Sequence, residues 1–370
     1  MKTALYQQIY DALRLQIETG QLAVGSKIPS LDDLAAAYGV STITARKALD
    51  MLSMDGLVLR RPRIGTIVIS DEPIRSSHVP EARMLIGCVL TNYDDTFGTE
   101  LLSGILDAAE GQSEVIVRRS LGDLDREECA ITDLINVGVQ GLIVLPTSSQ
   151  QIPTAVLTLT AQHFPMVIVD RSFNSVPISA VSSDNFGGAK MATEHLIELG
   201  HRHIGWMAPP ESISTVVDRH AGYVRAQAEH RIAYLASQEL TTLDSVVPGT
   251  PDDMMEDLAR IDGFLDIHPE VTAYVVSQYN IALLLATACR RRGIVIGSDI
   301  SVVCFDHPVT LFDPDRFTFT HVQQNQTVMA DIAVEQLMAE IAQPGCVQKH
   351  TVEVELILGD SSAPIRTVNT

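Results

Sequence analysis

The segments MVIVD (166–170), AVSS (180–183), GGAKMATEHLIEL (187–199) and HIGWMA (203–208) decide the fold of this chain. MVIVD and HIGWMA are short, almost unbroken apolar runs, and the segment 187–199 between them carries its apolar residues at helical spacing. Strands that are apolar on both faces must be covered on both faces, the condition of a parallel sheet packed between helices. The alternation continues outward in both directions. LIGCVL (85–90), SEVIVRR (113–119) and GLIVL (141–145) precede it; DSVV (244–247), AYVVS (273–277) and SVVCFD (301–306) follow. Helical spacing falls between them at 100–110, 129–137, 253–264 and 281–292. About 270 residues of such a pattern exceed one comfortable sheet, so two lobes are expected.

The chain has 370 residues, 46% apolar and 19% charged, enough for a large core and too apolar for wholesale disorder. Its longest nearly unbroken apolar stretch, 281–289, is far short of the ~20 residues that span a bilayer. The opening MKTALYQQIYDALR lacks the apolar heart of an export signal. Cys88, Cys129, Cys289, Cys304 and Cys346 are scattered, with no CxxC, which fits reduced thiols and a cytoplasmic location better than disulfides or zinc.

Formal net charge is −20, which by itself argues against nucleic acid as a partner. The charge is uneven, however. Residues 1–70 hold eight basic and six acidic side chains, a net of +2, so the remaining 300 residues carry −22. Five of those basic residues fall between Arg46 and Arg63. A slightly basic head on a strongly acidic body is the pattern to be explained.

The head reads as helices followed by a hairpin. Leu5, Ile9, Leu13 and Ile17 form one apolar stripe of a first helix, ended by Gly20 and Gly25. Ser30 with Asp33 makes a capping-box start for a second helix at 31–38, stopped by Gly39. Ser41 caps a third, with Ala45, Ala48, Leu49 and Leu52 on its inner side. LVLRR (57–61) and GTIVI (65–69), joined through 62–64, are two strands of a hairpin. Helix, helix–turn–helix and β-hairpin together make a winged helix. Residues 71–83, DEPIRSSHVPEAR, have two prolines and no apolar period, and read as a linker. The expected division is therefore 1–70, a linker at 71–83, and an α/β body at 84–365.

Ligands of open parallel sheets bind beyond the carboxyl ends of the strands. There the sequence places Asn92 to Asp95, Thr147 and Ser148, Asp170 and Arg171, Asp184 and Asn185, Gln278 and Tyr279, and Asp306 and His307. Polar residues also end strands for no further reason. Gathered between two lobes, though, carboxylates, amides and guanidinium groups suit the vicinal hydroxyls of a polar small molecule. His201 and His203 have no acid or nucleophile spaced with them and are read as shaping a turn.

Particular motifs carry a resemblance to known families. YQQI (6–9), GQLAVG (20–25), IPS (28–30), LA (34–35), VSTIT (40–44), RKAL (46–49), Leu52, Gly56 and GT (65–66) make the head similar to the GntR family of winged helices. The resemblance implies that the third helix enters the DNA major groove and the wing touches the minor groove. DNA contacts are then expected from Ser41, Thr42, Ile43, Thr44, Arg46 and Lys47, with Arg61, Arg63 and Gly65 on the wing. Asp32 and Thr42 stand where that family usually has arginine.

VDR (169–171), DNFGGA (184–189), HLIELGHR (195–202), RHAGY (219–223), RGI (292–294), SVVCFD (301–306) and VQQ (322–324) make the body similar to LacI/GalR-type effector domains. These share a two-lobed periplasmic-binding-protein-like fold with parallel sheets. The resemblance implies sugar contacts at Asp95, Phe97, Asp170, Arg171, Arg219, Gln278, Asp306 and Gln324. Gln278 and Tyr279 replace a common Asn-Asp, and Gly98 stands where a second aromatic often stacks on the ring. The combination of modules resembles arabinose-responsive repressors.

The expectation is a cytoplasmic, dimeric transcriptional regulator, a repressor of carbohydrate-utilisation genes. A sugar bound between its lobes would control affinity for double-stranded operator DNA. No GxSxG, P-loop or paired catalytic carboxylate marks an enzyme, and neither cofactor, metal nor membrane is implied. A solute-binding protein of a transport system, or a regulator sensing a nucleobase, is the alternative.

Overall fold

A computed structural model describes residues 5–61, 65–71, 83–93, 96–173, 175–210, 213–250, 253–308 and 316–365, with the backbone alone for Met54 and Arg61. The chain divides into two compact units, 1–83 and 84–370.

The first unit holds α1 (Leu5–Glu18), α2 (Leu31–Tyr38), α3 (Thr42–Met54) and the antiparallel strands β1 (Val58–Arg61) and β2 (Gly65–Val68). Ile9, Leu13 and Ile17 of α1 meet Leu34 of α2 and Ala45, Ala48, Leu49 and Leu52 of α3 in one small core. The Ser30–Asp33 capping box forms, and Gly39 ends α2 in the left-handed conformation. Ser41 caps α3 through the Thr44 N–H. Tight capping at both ends of the 39–41 turn sets the angle between the two helices.

The second unit has two lobes. In the first, β3 (Met84–Leu90), β4 (Ser113–Arg119), β5 (Gly141–Val144), β6 (Met166–Val169), β7 (Ser179–Ser183) and β13 (Lys349–Val352) run parallel in the order β13-β7-β6-β5-β3-β4. Helices α4 (Thr99–Ala109), α5 (Leu124–Val137), α6 (Thr154–Ala161) and α11 (Gln326–Ala342) bury it on both faces. In the second, β8 (Ile204–Met207), β9 (Glu239–Leu240), β10 (Ala273–Val276), β11 (Ser301–Phe305), β12 (Thr320–Gln324) and β14 (Val354–Ile357) take the order β14-β12-β11-β10-β8-β9. Only β14, pairing with β12, is antiparallel in that sheet. Helices α7 (Asn185–Glu198), α8 (Ser214–Glu229), α9 (Met254–Ile267) and α10 (Tyr279–Arg292) cover it. The chain passes between lobes after β7, after β12, and between β13 and β14.

Every residue of β5, β6, β8, β10 and β11 is buried, as uninterrupted apolar strands demand. The expected strand at 244–247 is absent. Those residues form turns, and β9 lies upstream at Glu239–Leu240. The Asp244 and Ser245 N–H groups donate to the Asp257 carboxylate (3.3 and 2.8 Å), not to a ladder, and Pro248 has no N–H to offer one. Strands β12, β13 and β14 were not legible, since THVQQ, KHTV and VELI mix polar and apolar residues as edge-side strands can. Among the described residues no helix is long and apolar enough to cross a membrane, and no cluster of three or more His, Cys, Asp or Glu side chains is placed for a metal. All five cysteines are free. The linker residues 72–82 lie outside the described residues.

Candidate functional site

A cavity of about 420 Å³ opens where the strands of both lobes end. Phe97, Asp170, Arg171, Arg219, Gln278, Asp306 and Gln324 all line it, and Asp95 lies outside the described residues. Of the other strand-end groups, Asn92, Thr147, Ser148 and Tyr279 join them. Asp184 and His307 do not: Asp184 caps α7 through the Gly187 N–H (2.8 Å), and His307 packs edge-on to Tyr279.

Arg219 is the most constrained group. Its Nε donates to Asn185 Oδ1 (2.7 Å) and Nη1 to the Ser277 carbonyl (2.6 Å), while its guanidinium lies 3.8 Å from the centre of the Phe305 ring. Asn185 is itself fixed by donating to the Ser183 carbonyl (3.1 Å). Two hydrogen bonds and a stacked ring hold the fork still at the cavity wall. Ser277 and Phe305 were missed as members of the site. Asn185 was visible only as a strand-end polar residue, and nothing in the spacing tied it to an arginine 34 positions away.

The carboxylates face that fork. Asp306 Oδ2 accepts from Gln324 Nε2 (2.7 Å), and burial lifts its pKa to about 7 against the opposing pull of Arg219. Burial also raises Asp170, opposed by Arg171 and Arg219. Arg171 donates from Nη1 to the Pro146 carbonyl, and burial lowers its pKa against Asp170 and Glu127. Fully buried Glu127, also missed, accepts from the Thr147 N–H (2.6 Å) behind this wall. Acid and base thus alternate from Glu127 through Arg171, Asp170 and Arg219 to Asp306, crossing from one lobe to the other.

Asp170 Oδ1, Arg171 Nε and Gln324 Oε1 are buried without a hydrogen-bond partner among the described residues. Buried polar atoms in folded proteins are almost always paired, and these three belong to residues that line the cavity. Gly98 has a steric reason to be glycine: at φ 98, a Cβ there would lie 2.8 Å from the Tyr93 side chain and 2.9 Å from its Cα. No second aromatic fits at that position. Gln326 holds the adjacent loop, accepting from the Gly98 N–H (2.7 Å) and donating to the Thr96 carbonyl (3.2 Å).

In the head, Thr42, Ile43, Arg46 and Lys47 lie exposed along α3, Ile43 at 77%. Lys47 Nζ sits 4.0 Å from the centre of the Tyr6 ring. Ser41 and Thr44 share a hydroxyl contact of 2.9 Å, so Ser41 serves the cap first. The Arg61 side chain and Arg63 lie outside the described residues. Gly65 has φ 112, and a Cβ there would meet the stem of exposed Lys27, a basic residue beside the wing that the motif reading overlooked.

Comparison with known proteins matches residues 5–68 to the family of bacterial regulatory proteins of the gntR type, and residues 193–362 to the periplasmic binding protein-like domain. The arabinose metabolism transcriptional repressor of Geobacillus stearothermophilus is 27% identical over 344 residues, 91% of each chain. Among solved structures, the transcription regulator CcpA of Lactococcus lactis superposes with a TM-score of 0.65 at 20% identity, over 76% of this chain and 99% of that one. A LacI family transcriptional regulator from Enterococcus faecium, with bound ribose, gives 0.63 at 21% identity, over 76% and 100%.

Proposed function

From a chain that joins a gntR-type winged-helix head to a LacI/GalR-type two-lobed effector body, we propose a ligand-responsive transcriptional repressor whose effector is a sugar held between the lobes. Residues 1–70 bind double-stranded operator DNA, 71–83 connect, and 84–365 bind the effector and form a homodimer. The genes controlled are those of carbohydrate use, in keeping with the arabinose repressor to which the chain is similar. One observation carries the effector assignment. A guanidinium clamped by Asn185 and the Ser277 carbonyl faces two buried carboxylates, and three buried polar atoms around them are unpaired. A polyol supplies donors and acceptors on adjacent carbons, which matches that set.

The head supplies α3 for the major groove, with Thr42, Ile43, Arg46 and Lys47 toward the bases and phosphates and Ser41 and Thr44 framing its start. Arg61, Arg63 and Gly65 act on the wing. The −22 on the rest of the chain repels DNA at large, so specific binding is steeply salt-dependent. A homodimer places two heads on half-sites of a pseudo-palindrome. Effector binding shifts DNA affinity only by its differential affinity for the two states, typically ~1–3 kcal/mol of coupling.

The test pairs a thermal-shift series with L-arabinose, D-ribose and other pentoses and hexoses with gel shifts on DNA from the chain's own promoter. A sugar at a hundred times its Kd should stabilise the body by about 2.7 kcal/mol. The same sugar should change the gel-shift affinity. No stabilisation by any sugar removes the effector assignment; no shift of promoter DNA at low salt removes the regulator. Arg46→Ala should weaken DNA binding ~10-fold or more, leaving the sugar response intact.

A further inference from the structure

Among the described residues the rims of the cleft touch each other at two places. On one side, Ser214 at the start of α8 donates its N–H to Ser149 Oγ (2.9 Å), and its own hydroxyl accepts from Ser149 Oγ (3.2 Å) and the Ser172 N–H (3.2 Å). Ser149 and Ser172 belong to the first lobe, Ser214 to the second. On the other side, the turn at 245–250 of the second lobe meets Gly122 of the first. A Cβ built on Gly122 would fall on the Pro248 carbonyl, with the Gly249 nitrogen at 3.0 Å. Reciprocally, a Cβ on Gly249 would lie 3.0 Å from the Gly122 oxygen. The two backbones are in direct apposition, and only glycine permits it.

The turn is not a loose flap. Asp257, buried on α9, accepts from the Asp244 and Ser245 N–H groups. Arg260 ties Asp257 (2.9 Å) to Asp244 (3.0 Å) and also bonds the Thr242 carbonyl. Gln278 Nε2 donates to the Val246 carbonyl (3.3 Å). Facing it, Leu121 and Gly122 both have left-handed backbones, φ 56 and 79, with the Leu121 N–H bonded to the Thr91 carbonyl (2.8 Å). A rigid projection on one lobe therefore seats on a rigid notch on the other.

We propose that the 242–250 loop is a fixed stop that sets how far the cleft closes, seating Pro248 and Gly249 on Gly122 while Ser214 seats between Ser149 and Ser172. These rim groups are positioning residues: they set effector affinity by fixing the spacing of the two lobes' ligand-facing side chains. The effect on affinity rests on the effector reading above; the closing contact itself does not. A side chain at 122 would prop the rims apart, and the hydrogen-bonding groups of the two lobes could no longer reach one small ligand together.

Closure can be read without any ligand. In a Cys129→Ser, Cys346→Ser background, which leaves only buried cysteines, the pair Ser149→Cys and Ser214→Cys reports contact of the rims by its rate of disulfide formation with diamide. Adding Gly122→Ala should slow that rate at least ten-fold. Gly111→Ala is the control, because Gly111 has the same left-handed backbone (φ 77) and nothing within 4 Å of a Cβ, so it carries the conformational strain alone. Its rate should match the background. Gly249→Ala, a gentler intrusion, should fall between and serves if Gly122→Ala does not fold. Equal rates for the 111 and 122 variants, or no cross-link in the background, overturn the proposal. With L-arabinose or D-ribose, whichever binds, Gly122→Ala should raise Kd at least ten-fold, and an unchanged Kd overturns the link to affinity. If neither sugar binds any variant, the effector reading fails while the cross-linking rates still decide the stop.

Discussion

Strands β6 and β11 end alike. Each hands over to an aspartate with a left-handed backbone, Asp170 at φ 63 and Asp306 at φ 59. The N–H of each donates to the neighbouring strand's carbonyl, Val181 (2.8 Å) and Val322 (3.0 Å) respectively. Aspartate tolerates this conformation better than most side chains. Beyond the backbone the two diverge. Asp306 is bonded by Gln324 and leans on an arginine from a distant helix, whereas Asp170 keeps one oxygen unpartnered and feels most the arginine next in sequence. The lobes repeat a scaffold, and the chemistry is written separately on each copy, so that two acceptors converge on the single fork of Arg219.

The largest test of that convergence is Arg219→Ala. Removing the shared cation leaves two buried acids facing each other, and effector affinity should fall ~100-fold or more, in the range of about 2–5 kcal/mol. Titration calorimetry reads it, and an unaltered Kd would mean the two lobes do not work through Arg219 at all. DNA binding of the sugar-free protein should survive.

Next in size are Asp170→Asn and Asp306→Asn. Each should weaken the sugar ~10-fold, near the ~1.5–3 kcal/mol of a charge-assisted hydrogen bond. Asp306→Asn removes a group that burial lifts to about 7, so its cost should be larger above that pH, where the native side chain is charged, than below it. A loss of affinity that does not change with pH would break that reading.

Stability should respond as well. Burial lifts Asp306 to about 7, so between about pH 4 and pH 7 the folded body binds a proton that the unfolded chain releases. Stability should therefore decline as pH rises through that window and level off above it. Asp170, raised for the same reason, adds to the same slope. Thermal unfolding of the sugar-free protein across this range should show the decline, and Asp306→Asn should flatten part of it. A slope unchanged in the variant would assign the proton elsewhere.

Much of this was legible before any fold was seen. The unbroken strands MVIV, IGWM and SVVCF announced buried parallel sheets, because no half-exposed strand would spend so many Val and Ile residues on both faces. The Ser30 and Ser41 caps announced the helix–turn–helix through local hydrogen bonds that need no tertiary context. Arg219, Asp306, Gln278 and Gln324, expected by position after strands or by resemblance, line the cavity. The 244–247 segment misled because its apolar residues line a cavity in a turn and do not form a strand, and alternation cannot tell the two apart. Glu127 was hidden for the opposite reason: a carboxylate in an amphipathic helix reads as solvent-facing until the Thr147 N–H is seen to claim it.

The sequence by itself determined what is local or periodic: which segments are helix or buried strand, where the helices are capped, and that a weakly basic head precedes an acidic body. Those properties depend on neighbours within a few positions. Only the tertiary structure decided that Asn185 and Ser277 grip Arg219, that Gly98 leaves no room for a ring, and that Gly122 lies against Pro248. Each is a meeting of residues far apart along the chain, set by how two lobes pack and cross over, and no spacing in one dimension encodes a distance of that kind.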